Sequence, residues 1–161
     1  MLVYPVWSRR VVEWGIVTLV LFLLIAVLWR HAQVMQGQTE RVTVRTTLAA
    51  IRAALVLDQL VRHVRVDAAK NAPPVKNPFM LLQVQTPNYA GERTLGDIYS
   101  VPPGSWVFDP ECRCVGYRLL YPRWLEPGQV ADAIWFRVDT SAEDSRLVGQ
   151  ADYRWFGQKI D

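Results

Sequence analysis

The sequence predicts an α+β protein: a long N-terminal helix, transmembrane in its first half and amphipathic in its second, packed on a small antiparallel β-meander of three to four strands. Three observations carry this. Trp14–Trp29 (WGIVTLVLFLLIAVLW) is a sixteen-residue run without a charge. From Ala32 to about Ala69 there is no proline, with Gly37 as the only weak point, so helix can continue beyond a bilayer. From Gly104 onward the apolar pattern changes to period two.

The elements follow in order. Residues 1–10 form a short tail that carries Arg9 and Arg10. Residues 11–30 form the membrane segment. Its uncharged run rises about 24 Å as helix, and Val11, Val12 and Glu13 at the interface bring it near the ~30 Å of hydrocarbon. Trp7, Trp14 and Trp29 suit the headgroup level, where Arg9, Arg10 and Arg30 can snorkel. A cleaved signal peptide fits less well, because Val12 and Glu13 follow the Ser8-Arg9-Arg10 triplet and no small-x-small site follows Trp29.

Residues 31–70 form the extended amphipathic helix. Val44, Leu48, Ile51 and Leu55 keep helical spacing, and Ala49, Ala53, Val56, Leu60 and Val64 extend the apolar face in an adjoining row. Gln36–Thr39 is the expected site of a bend or a melted turn around Gly37.

Residues 71–103 form an irregular loop between helix and sheet. Pro73, Pro74, Pro78, Pro87, Pro102 and Pro103 exclude regular helix there. Phe79–Val84 can make one short turn, and Asn88–Glu92 reads as an ordered turn. Residues 104–161 form the antiparallel sheet. Strands are expected at Ser105–Phe108, Arg113–Tyr121, Ala133–Val138 and Leu147–Phe156. Val115, Tyr117 and Leu119 alternate with Cys114, Gly116 and Arg118, so one apolar face needs a cover, which the amphipathic helix supplies.

Composition narrows the function. With tail, span and helix removed, about 90 of the 161 residues remain for one small domain. The net charge of +3 is modest and its arginines are dispersed, which argues against a nucleic-acid partner. No glycine-rich phosphate loop and no Ser, His and Asp set is present, so no catalytic residues, cofactor or metal are expected. Cys112 and Cys114 form a CxC pair; a local disulfide, reduced thiols and redox chemistry are the three readings. Zinc lacks partners, since His31 and His63, the 2 histidines, both lie on the helix. Asp139, Glu143 and Asp144, with Asp132 and Asp152, read as a solvated turn before a calcium loop, because no EF-hand spacing is present.

This order of elements resembles the type IV pilin and pseudopilin superfamily. The finer likeness is carried by Asn77, Pro78 and Leu82, then Pro87, Asn88, Tyr89, Gly91 and Glu92, then Pro103, Gly104, Ser105, Trp106 and Asp109, then Tyr117 and Leu119. It is similar to the minor pilin-like proteins of mannose-sensitive haemagglutinin (MSHA) type pili and, more distantly, to pseudopilins of type II secretion.

The resemblance implies a non-enzymatic structural subunit that assembles with other pilin or pseudopilin subunits, an inner-membrane assembly platform and the lipid bilayer. It implies a single-pass inner-membrane protein of bacteria with its C-terminal domain in the periplasm, able to enter an extracellular filament. A membrane-anchored scaffold of the same machinery, which never enters the filament, is the alternative. Glu13 stands where the family's glutamate meets the amine of a neighbouring subunit. Ser8 and Arg9 depart from the glycine and phenylalanine that precede it in the family, so cleavage by the prepilin peptidase is not expected. Pairing of Glu13 with Arg9, one turn back, is the simpler role for that side chain.

Overall fold

The structure, a computed structural model, describes residues 6–64, 77–126, 132–140 and 145–160. Expectations for Pro73, Pro74, Glu143 and Asp144, and for the helix beyond Val64, lie outside these residues, as do the side chains of Trp7, His63 and Val64. The chain divides into two units, Met1–Thr39 and Glu40–Asp161.

Helix α1 runs from Val6 to Val64. Helix therefore begins within the expected tail. The turn around Gly37 stays helical, contrary to the expected melting. One glycine costs only about 1 kcal/mol, which its strongly helix-forming surroundings absorb. In the first unit, the residues from Val11 to Trp29 are exposed on every side, Phe22 and Leu28 each at 67%. Thr18 returns its hydroxyl to the Trp14 carbonyl (2.7 Å), so that hydroxyl presents no free donor to the apolar surface. The helix is long and apolar enough to cross a membrane.

In the second unit, Val44, Leu48, Ile51 and Leu55 are buried and pack in one core with the sheet. The adjoining row behaves otherwise. Val56 is 48% and Leu60 57% exposed, and Ala49 and Ala53 face solvent. A sheet surface covers only one stripe of a straight helix, so the neighbouring row stays outside.

The sheet is five-stranded among the described residues, where three or four strands are expected, in the order β1 (Tyr89–Glu92), β2 (Trp106–Asp109), β3 (Cys114–Arg118), β4 (Ala133–Thr140) and β5 (Ser145–Gly149). β2 to β5 pair antiparallel, whereas β1 pairs parallel with β2. Of the turn expected at Asn88–Glu92, only Asn88 lies in a turn, and Tyr89–Glu92 is a strand. The thirteen residues between Glu92 and Trp106 are long enough for the crossover that parallel pairing needs. Gly91, at φ 88°, absorbs the register shift between the Tyr89–Trp106 and Glu92–Phe108 pairs.

The strand expected over Leu147–Phe156 ends at Gly149. The chain then makes a small hairpin of β6 (Arg154–Trp155) and β7 (Gln158–Lys159), turning through Phe156 and Gly157, both at positive φ.

Period two sorts the strand residues to two covered faces, where a single apolar face is expected. Trp106, Phe108, Val115, Tyr117, Ile134, Phe136 and Val138 join the helix core. Val107, Cys114, Ala133 and Trp135 point the other way and are buried beneath Ile98 and Val101. The cover is the 3-10 segment Leu95–Ser100, inside the loop expected to be irregular. Arg118 fastens it by donating to the Tyr99 carbonyl (2.9 Å) and to that of Val101. Gly116 makes room for the Trp135 ring, since a Cβ there would lie 2.5 Å from the ring.

Candidate functional site

Glu13 lies on the exposed first unit, with 61% of its side chain accessible. Its Oε1 accepts from Nε of Arg9 at 3.2 Å, the i, i+4 pair. The surrounding Val11, Val12, Trp14 and Ile16 are all more than half exposed, so the pair interrupts an otherwise apolar helix.

Cys112 and Cys114 are joined by a disulfide, with Cα atoms 5.2 Å apart. That is shorter than an extended i, i+2 spacing because the chain turns here: Arg113 has φ 57°. The buried Asp109 carboxylate organises the turn. Its Oδ1 accepts from the backbone N–H of Glu111 (2.8 Å) and Cys112 (3.4 Å), and its Oδ2 from Leu95 (2.8 Å). Cys114 is fully buried in the cluster with Trp135, which places the bridge inside the sheet's outer core.

The acidic residues remain dispersed. Asp132 and Asp139 are exposed, and Asp152 pairs with Arg154 (3.2 Å) and Lys159 (3.5 Å). Among the described residues no group of three His, Cys, Asp or Glu side chains could hold a metal ion. An open cleft of about 580 Å³ at the β5 edge is lined in part by Arg52, Phe136, Leu147, Asp152 and Lys159. Its acid and its amine, Asp152 and Lys159, neutralise each other.

One buried polar side chain with three hydrogen-bond partners carries no role in the sequence expectations. Glu40 is 6% exposed. Its Oε1 accepts from the Tyr117 hydroxyl (3.1 Å) and the Leu120 N–H (2.6 Å), and its Oε2 from the Tyr121 N–H (3.0 Å). Burial pushes the carboxyl above its ordinary value, while these hydrogen bonds pull it back. Burial, helped by the facing carboxylate, raises the Tyr117 phenol as well. A signal for Glu40 was present. It stands four residues before Val44, in register with Leu48, Ile51 and Leu55, so a carboxylate was placed on the stripe that enters the core.

A second buried knot ties the loop. Asn77, 4% exposed, accepts from the Phe79 N–H (3.1 Å) and donates to the Tyr89 hydroxyl (2.7 Å) and to Glu92 (3.0 Å). Phe79 stacks on Tyr89 with ring centroids 4.3 Å apart.

Comparison with protein-family models, curated proteins and solved structures yields no match to this chain. Its assignment rests on its own residues.

Proposed function

We propose that this chain is a minor pilin- or pseudopilin-like subunit that works in assembly of an MSHA-like type IV pilus or a type II secretion pseudopilus. One observation carries the reading. A single helix supplies first a surface that is apolar on all sides, and then a stripe buried against a mostly antiparallel sheet. A static anchor needs only the first half, whereas a subunit that passes from lipid to a helical assembly needs its sheet domain carried on the same helix. The reading is further supported by Asn77, Tyr89, Glu92, Gly91, Asp109 and Tyr117. All of them belong to the family likeness: Asn77 caps the Phe79 turn and is held by Tyr89 and Glu92, Gly91 takes a positive φ, Asp109 holds the turn at Glu111, and Tyr117 meets Glu40.

In this reading the helix crosses the inner membrane once, the sheet domain stands in the periplasm, and partners are other pilin or pseudopilin subunits and the assembly platform. The role is structural, without catalysis. Ser8 and Arg9, in place of the glycine and phenylalanine read by the peptidase, favour the second reading, an uncleaved scaffold that stays in the membrane. Shearing of filaments from cells expressing a tagged chain separates the two. A subunit leaves with the sheared fraction, and a scaffold remains wholly with the membranes.

A further inference from the structure

The exposed face of α1 within the second unit has a pattern of its own. Val42, Thr46, Ala49, Ala53, Val56 and Leu60 are all exposed, Val42 at 63%. Their separations of four, three, four, three and four residues are the alternation of a and d positions in a coiled coil, with Thr46, Ala53 and Leu60 at a. The row belongs wholly to the second unit and runs about 27 Å along the helix. At about 100° per residue it stands about 150° around the axis from Val44, Leu48, Ile51 and Leu55, so the sheet that buries that stripe leaves this one free. Its polar member asks nothing of a partner, because Thr46 returns its hydroxyl to the Val42 carbonyl (2.8 Å). Packing on one sheet calls for one apolar stripe, and this helix carries a second.

The flanking residues select the occupant. Arg45 and Arg52 stand at g positions, whereas the e positions hold Thr43, Ala50 and Leu57, all exposed and uncharged. A parallel copy in register sets each g residue beside the e residue five further on. Arg45 then meets Ala50 and Arg52 meets Leu57, where the arginine stems lie on apolar surface. An antiparallel copy along the whole row would instead set Arg52 against Arg52, a like-charge contact. Ala49 and Ala53, in the middle of the row, let the two helices approach closely.

We infer that this face binds a second copy of the chain, as a parallel, in-register helix pair through Val42–Leu60. The pair is closed by a twofold axis, unlike the open contacts of a filament. It therefore goes beyond the assembly role and does not depend on it: it is a paired state of the subunit outside any filament. Dilution below the pairing constant leaves the single chain, in which Leu60 stays at the surface.

The test uses the full-length chain in detergent micelles that outnumber it. Val42→Cys, Ala49→Cys and Val56→Cys are made singly, with Val61→Cys and Val148→Cys as exposed positions off the seam. The native cysteines are joined to each other, and peptide mapping by mass after mild oxidation locates each new crosslink. Every seam position should link to its own counterpart at several times the yield of 61 and 148, and the yield should fall on dilution. Ala53→Lys, at an exposed position, should lower the Val56→Cys yield by about fivefold or more, because each copy then brings a charge into the seam. In a mixture of Val42→Cys and Leu60→Cys chains, links between the two in place of like-to-like links would overturn the parallel pair in favour of an antiparallel one. Links only between offset seam positions in mixed variants would overturn it in favour of a staggered contact. Seam yields no higher than those at 61 and 148 would overturn the pairing itself and leave the assembly reading untouched.

Discussion

The carboxylate of Glu40 accepts a hydrogen bond from the hydroxyl of Tyr117 at 3.1 Å, across 77 residues of chain. The contact joins helix to sheet at the edge of the apolar stripe, and two backbone N–H groups complete it. Glu40→Ala leaves those N–H groups unsatisfied and should cost about 2–4 kcal/mol, whereas Tyr117→Phe should cost about 1 kcal/mol. Denaturant unfolding of the detergent-solubilised chain measures both. A double-mutant coupling near zero would show that the pair does not act together.

The same residue gives a pH dependence. The folded-state value of Glu40 is raised above its ordinary 4.5, so the folded chain holds the proton more tightly than the unfolded one. Its contribution is fully present below 4.5 and is lost as pH rises through the raised value. The Tm contribution of this group should therefore fall with rising pH just above 4.5, and Glu40→Gln should flatten that slope at a lower overall Tm. An unchanged slope in the variant would assign the titration to another group.

Leu55 and Leu60 are a matched contrast on one helix, at 5% and 57% exposure. Leu55→Asp buries an unpaired charge and should cost more than about 3 kcal/mol, while Leu60→Asp should stay within about 0.5 kcal/mol. Equal losses would mean that both rows of the helix are covered.

Gly116 lies under Trp135, with ring atoms 2.5–2.8 Å from the site of an added Cβ. Gly116→Ala should cost about 1–3 kcal/mol by displacing that ring from the outer core. Gly116→Ala in a Trp135→Leu background should recover part of the loss, read from the same unfolding curves.

Glu13 separates anchor from assembly. If the carboxylate registers this subunit against a partner within the bilayer, Glu13→Ala abolishes complementation of piliation or secretion in a deletion strain at normal abundance. If its only partner is Arg9, the exposed pair is worth about 0.3–0.5 kcal/mol and function is retained.

Much of the fold was legible because its signals are local and periodic. The uncharged run Trp14–Trp29, the stripe Val44, Leu48, Ile51 and Leu55, and the alternation through β3 each follow from the geometry of one element. By itself the sequence determined a helix able to cross a membrane and, beyond it, an amphipathic stripe meant for a sheet. Only the tertiary structure decided which elements share a surface. It turned Tyr89–Glu92 into a parallel edge strand and laid Leu95–Ser100 over the back of the sheet. It also exposed the Val56 and Leu60 row, and it drew the lone carboxylate of Glu40 into the core. These outcomes depend on crossovers and on hydrogen bonds between residues far apart in the chain, such as Glu40 with Tyr117 or Leu95 with Asp109. No local period records them, because a buried polar group is stable only where distant partners satisfy it.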